Sequence, residues 1–281
     1  MNTTSTYAPS VTAVDSHAHV FHCADAAVDH EYTPTADATV ETYLKHLDTH
    51  GFSHGVLAQP SFLGEDHSRL LHALRRHPAR LRGIAAIGPD TAAHAMEELV
   101  AAGVVGTRLN LISRSRDALP DLSSARWRAF LRVAAHRNWH VQVHCRAQAL
   151  PALLPPLLDQ GLRVVVDHFG RPAPGLGVTD PAFGELLAFG ATRQVWVKLS
   201  AAYRCDETMP GDGFAAAAVP MLLDAYGPDR LLWGSDWPHT RFQHDPRLNY
   251  DVVAARVPRW LRHIEARDGV LRSGPARLFR L

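Results

Sequence analysis

His17 and His19 stand one residue apart in the run VTAVDSHAHVF. In an extended strand side chains alternate, so residues i and i+2 share a face. Two neutral imidazoles on one face are half of a metal site with nitrogen ligands. Further along, His144 follows WHVQV, Asp167 and His168 close RVVVDHF, and Asp236 lies in WGSDWPH. Each ends an apolar, β-rich run, where a buried polar group is costly unless partnered. Four run ends thus supply four histidines and the carboxylate of Asp236, nitrogen and oxygen donors suited to a zinc-like ion with one open position. Three arginines also follow run ends: Arg108 in GTRLN, Arg171 in DHFGRP and Arg204 in KLSAAYR. Guanidinium groups grip carboxylates or sulfonates through paired hydrogen bonds, so the expected partner is a small anionic substrate. Gln59, Ser61 and Tyr203 are polar residues at further run ends and are candidates for substrate contact. Lys198 has the parity of Ser200; facing inward it needs a partner, and facing outward it extends between helices.

For these groups to meet, the runs must be neighbouring parallel strands. Strand candidates are 11–21, 54–61, 81–88, 104–111, 139–145, 163–169, 194–201 and 230–237. Helix candidates alternate with them, near 38–50, 66–77, 91–102, 123–137, 147–160, 180–189, 213–226 and 251–266. Cap signals precede several: Asp90-Thr91, Asp121 to Ser123, and Asp180-Pro181. Gly51, Gly103, Gly161 and Gly227 stand where helices should stop. Strict alternation argues for a parallel sheet, and eight units in this length argue for a (β/α)8 TIM barrel of the α/β class. It would be a single domain over residues 1–281, with 1–10 flexible and some distortion allowed. No GxGxxG follows the first strand and there is no P-loop, which weakens a nucleotide-binding alternative. In such a barrel the strand C-termini converge on one mouth. The Gly- and Pro-rich stretches 171–180 and 204–213, and the loop 239–250, would lie on that face.

Composition narrows the function classes. The 281 residues are 46% hydrophobic and 20% charged, enough for a large core without staples. A net charge of +1 gives no electrostatic case for nucleic acid or an anionic membrane. Three well-separated cysteines without a CxxC fit a reducing compartment. MNTTSTYAPS lacks the basic start and apolar run of a signal peptide, so a cytoplasmic location is expected. No apolar stretch reaches the length of a membrane span.

Taken together, VDSHAHVF, QPSFLGED, GTRLN, DHFGRP, KLSAAYR and GSDWPHT resemble the amidohydrolase superfamily, over nearly the whole chain from Asp15 to the closing GPARLFRL. The likeness is to the amidohydrolase-2 branch, which includes pyrone-dicarboxylate lactonases and sulfomuconolactone hydrolases. It implies a single divalent metal, zinc by expectation, held by His17, His19, His144 and Asp236. It also implies that Asp236 takes the proton of the attacking water, that His168 polarises the substrate carbonyl, and that Arg171 binds a substrate carboxylate. Arg108 and Arg204 match further anion-binding positions. The fourth strand offers Arg108 and Asn110 but no lysine or glutamate to bridge two metals. Metal-independent lactonases of the branch lack a histidine at the end of strand five, so His144 points to the metal-bearing side, with metal-independent catalysis left open. The expected reaction is opening of a carboxylated or sulfonated lactone, in aromatic-compound catabolism. A metal-dependent non-oxidative decarboxylase of a small aromatic or muconate-type acid is the alternative. A barrel that binds without catalysis is the third reading, and the intact ligand set argues against it.

Overall fold

Eight short strands form because runs such as Val164-Val165-Val166 and Leu231-Leu232-Trp233 are apolar on both faces, as a sheet covered on both sides requires. The computed structural model describes residues 9–25, 32–206 and 211–281. Residues 1–8 of the expected flexible segment, and 207–210 in the loop after the seventh strand, lie outside the described residues.

The strands are β1 (Val14–Ala18), β2 (His54–Ala58), β3 (Leu81–Ala85), β4 (Val104–Asn110), β5 (His140–His144), β6 (Val164–Val166), β7 (Val195–Leu199) and β8 (Leu231–Trp233). They lie in chain order, each parallel to the next. A parallel bridge between Ala18 and Trp237 joins the first strand to the chain beyond the last. There the His19 N–H donates to the Trp237 carbonyl at 2.8 Å and the Asp236 N–H to the His17 carbonyl at 2.9 Å. This is the expected (β/α)8 barrel.

Seven helices lie where the apolar periodicity predicts: α1 (Val40–Thr49), α2 (Ser68–Arg76), α3 (Ala93–Ala102), α4 (Ala125–His136), α5 (Leu150–Leu158), α6 (Pro181–Ala188) and α7 (Asp212–Tyr226). Asp180 caps α6, accepting from the Ala182 N–H at 2.9 Å, with Pro181 in the first turn. The Asp90-Thr91 signal does not cap α3; Thr91 Oγ1 instead accepts from the Gly88 N–H. The helix expected over 251–266 is broken into α8 (Tyr250–Ala254), α9 (Val257–Trp260) and α10 (Ile264–Asp268). Pro258 explains the first break: it has no N–H for the Ala254 carbonyl and its ring crowds that position. The helix ends at Ala254 and restarts with Pro258 in its first turn.

A further helix, α11 (Gly274–Phe279), closes the barrel floor. Leu278 and Phe279 pack among Val14, Val56, Ile84, Val105, Val165, Trp196 and Leu232, which come from seven of the eight strands. The His140 ring of β5 completes this floor against Phe279 at 5.4 Å. Above it the interior turns polar: Gln142, Asp167, Arg108 and Lys198 are all buried. The site is built on this layer.

Candidate active site

The polar groups gather at the C-terminal ends of the strands. His17 lies within β1 and His144 ends β5, while His19, Asp167, His168, Ser200 and Asp236 lie one to three residues past their strands. His168 (φ 51°) and Asp236 (φ 59°) both have left-handed backbone. Non-glycine residues avoid that region unless their surroundings enforce it, and such strain gathers at functional sites. Gly234 is needed just beneath: a Cβ there would come within 2.6 Å of the His17 Cβ.

Three imidazole nitrogens converge on one carboxylate oxygen. Nε2 of His17, His19 and His168 lie 3.6, 3.7 and 3.7 Å from Asp236 Oδ1. The Nε2 atoms of His17 and His19 are 3.3 Å apart. Donors arranged tetrahedrally at about 2.1 Å from one ion stand about 3.4 Å from each other. The spacing therefore fits a single divalent cation. Among the described residues, His17, His168 and Asp236 form one group of buried donors able to hold an ion; His144, Asp167 and His168 form a second. The His19 tautomer fits as well: its Nδ1–H donates to the Ala58 carbonyl at 2.8 Å, leaving the Nε2 lone pair toward the centre.

Charge is arranged behind these donors. Burial above all, with Lys198 next, lowers His17 to about 3. Burial likewise holds His144 and His168 well below their ordinary range. All three rings are neutral at pH 7, the form that ligates. Burial opposes the charge of Asp236, but Arg204 and the imidazoles of His168, His19 and His17 together outweigh it, and the carboxyl stays well below the usual range. Asp236 Oδ2 accepts from the Tyr203 hydroxyl and, at 3.1 Å, from Arg204 Nε, so Oδ1 alone faces the imidazoles. Lys198 is fully buried and faces inward. Its ammonium donates to Gln142 Oε1 at 2.7 Å and lies 3.0 Å from His17 Nδ1 and 3.6 Å from Asp167 Oδ1. Asp167 is further clamped by Gln142 Nε2 at 3.0 Å and by Arg108 at 3.1 and 3.2 Å.

Over this floor opens a cavity of about 910 Å³. Six arginines line it: Arg108, Arg114, Arg146, Arg171, Arg204 and Arg241. The acidic residues described there are Glu65 and Asp236. Arg108 and Arg204 are committed to Asp167 and Asp236. Among the described residues, the guanidinium groups of Arg114, Arg146 and Arg171 have no hydrogen-bond or ion-pair partner. The chamber can thus take a small molecule with several anionic groups.

The structure brings His17, His19, His168 and Asp236 together. It sets His144 beside Arg108, with Nδ1 at 3.1 Å from Nη2. Arg171 and Ser61 line the cavity. Tyr203 is buried against Asp236 rather than along the cavity wall described. Gln59 turns away and braces the following loop, donating to the carbonyls of Gly64 and Asp66. Sequence reasoning missed Arg114, Arg146 and Gln142. The last had a signal, since it shares parity with His144 along β5; the two arginines lie in irregular loops and had none.

Comparison with known proteins agrees with this architecture. The amidohydrolase family profile matches residues 14–281. A 4-sulfomuconolactone hydrolase of Hydrogenophaga intermedia is 29% identical over 94% of this chain and 88% of its own length. A 2-pyrone-4,6-dicarboxylate hydrolase of Comamonas testosteroni is 30% identical over 95% of this chain and 90% of its own. A solved structure from Acinetobacter baumannii, assigned as a 2-pyrone-4,6-dicarboxylic acid hydrolase and holding citric acid, superposes with a TM-score of 0.89 at 35% identity, covering 96% of this chain and 99% of that one. With the barrel, the strand-end donors and the profile match in agreement, the chain belongs to the amidohydrolase family.

Proposed function

We propose that this protein is a hydrolase that opens a small lactone bearing carboxylate or sulfonate groups. The observation that carries the reading is the meeting of three imidazoles on Asp236 Oδ1 beneath a chamber where, among the described residues, the guanidinium groups of Arg114, Arg146 and Arg171 have no partner. The substrates named for two relatives, a sulfomuconolactone and a pyrone dicarboxylate, support it.

His17, His19 and Asp236 are the residues we assign to one divalent cation. The nitrogen and carboxylate donors suit zinc. When bound, the cation supplies Lewis acidity that brings water toward ionisation near neutral pH. Asp236 Oδ1 accepts the proton of the attacking water, because Tyr203 and Arg204 occupy Oδ2. The same carboxyl then returns that proton to the departing ring oxygen. His168, whose Nδ1 is held by Ser200 Oγ at 2.8 Å, presents Nε2 to the carbonyl oxygen. Arg171 grips an anionic substituent and fixes the approach of the ring. Arg108 and Arg204 act at one remove, by holding Asp167 and Asp236, and Ser61 contacts substrate at the rim. We place the reaction in the cytoplasm, where the buried thiols of Cys145 and Cys205 stay reduced, and in the breakdown of aromatic compounds.

The test is a panel of carboxylated and sulfonated lactones, with ring opening and released carbon dioxide both followed. Ring opening without carbon dioxide is expected. Carbon dioxide released from a matching acid, with no lactone opened, would establish the decarboxylase instead.

A further inference from the structure

We propose that His144 is a hydrogen-bond donor to the substrate's carbonyl oxygen and not a ligand of the cation, an assignment that rests on the lactone-opening reading above.

Arg108 sets the polarity of the His144 ring. Its guanidinium is fixed by Asp167, with Nε and Nη2 donating to Oδ2 at 3.2 and 3.1 Å, while Nη1 lies 3.5 Å from the Gln59 carbonyl. A guanidinium has only donors and keeps its charge in proteins. Its Nη2 also lies 3.1 Å from His144 Nδ1. That nitrogen must therefore accept. An imidazole that accepts is a neutral one, since the protonated ring has only donors. A neutral imidazole that accepts at Nδ1 carries its one proton on Nε2. Asn110 Oδ1 also lies 3.1 Å from this Nδ1; because the Arg108 guanidinium cannot accept, the amide is read turned about its axis, with its NH2 group toward the ring.

His19 is the contrast within the same site. There a carbonyl accepts from Nδ1–H, which frees the Nε2 lone pair for a cation. His144 has the opposite polarity: an obligate donor faces Nδ1, and Nε2 becomes an N–H. That atom is buried and, among the described residues, has no partner. An unpaired buried N–H is costly, so a group that binds in the cavity is the natural acceptor. His144 lines the cavity, and its ring meets His168 edge-on, centroids 4.9 Å apart. A carbonyl oxygen approached by His168 is thus within the reach of both rings.

The direct test is the tautomer in the resting protein. Two-bond proton–nitrogen correlation spectra of wild type labelled with 15N-histidine, with His144 assigned by its loss in His144→Gln, should give the Nε2–H pattern. The pattern should not change when one equivalent of zinc is added. Zinc stoichiometry by elemental mass spectrometry gives the second arm. His144→Ala and His144→Gln should keep the zinc that wild type holds, while His19→Ala loses it. Turnover should fall by about 10²–10³-fold in His144→Ala, the usual loss for one oxyanion donor. His144→Gln, which keeps an N–H, should recover at least tenfold of that, with KM changed by less than about threefold. An Nδ1–H tautomer, or loss of zinc in both His144 variants, would overturn the proposal. If wild type opens no lactone, the functional reading fails while the tautomer and zinc results still decide the role of His144.

Discussion

The two ends of the barrel are built from opposite materials. At the floor, Leu278 and Phe279 seal a layer of Val14, Val56, Ile84, Val105, Val165, Trp196 and Leu232. Burial there stabilises the fold without direction, and any side chain of similar shape would serve. At the mouth, Asp236, Asp167, Lys198, Arg108 and the imidazoles of His17 and His168 are equally buried, yet each is held by named partners at set distances. Buried charge costs stability unless compensated, so this end spends part of what the floor provides. The contrast assigns stability to one end and chemistry to the other.

The sharpest way to break that division is at Asp236. Asp236→Asn should cut turnover by about 10⁴-fold, the upper range for a positioned general base, with the far-ultraviolet circular dichroism unchanged. Near-wild-type turnover would remove Asp236 from the chemistry. Phe279→Ala is the converse. It should cost about 3–5 kcal/mol in urea unfolding, as large-to-small changes in a packed core do, while the folded fraction keeps its kcat. A mutant that is stable but inactive would erase the contrast. Gly234→Ala tests the join between the ends. Its added Cβ would press on His17, and a displacement of about 1 Å should lower kcat/KM by about 10²-fold. Arg171→Ala should raise KM for an anionic lactone by about 10–100-fold and leave a neutral analogue unaffected, the loss of one charged hydrogen-bonding partner. The smallest effect concerns Lys198, which burial lowers from 10.5 to about 8. Below pH 8 both folded and unfolded chains carry the proton. Between about pH 8 and 10.5 the native lysine releases it first, so stability rises with pH in that window. Urea midpoints should therefore diverge in favour of wild type over Lys198→Met from pH 8 upward, and a constant difference would contradict the assignment.

Much of this arrangement is legible in the sequence because strands impose a period of two and barrels collect strand ends. His17, His19, His144, His168 and Asp236 can all be found that way. The broken eighth helix is visible only once Pro258 is weighed against the apolar pattern around it. The polarity of His144 is not legible at all. It depends on Arg108, thirty-six residues away along the chain, and a hydrogen bond between side chains of adjacent strands leaves no periodic trace. The same holds for Tyr203, which reads as a substrate contact but is occupied by Asp236. Arg114 and Arg146 stand in loops, where no period tells which residues face the chamber.

The most direct test of the central claim is the ring-opening rate of metal-stripped wild type as zinc is titrated back, on a carboxylated or sulfonated lactone, with His19→Ala alongside. The account predicts that activity is lost on stripping and returns to a plateau at one equivalent of zinc in wild type, with no return in His19→Ala. Full activity without metal, or equal recovery in His19→Ala, would contradict it.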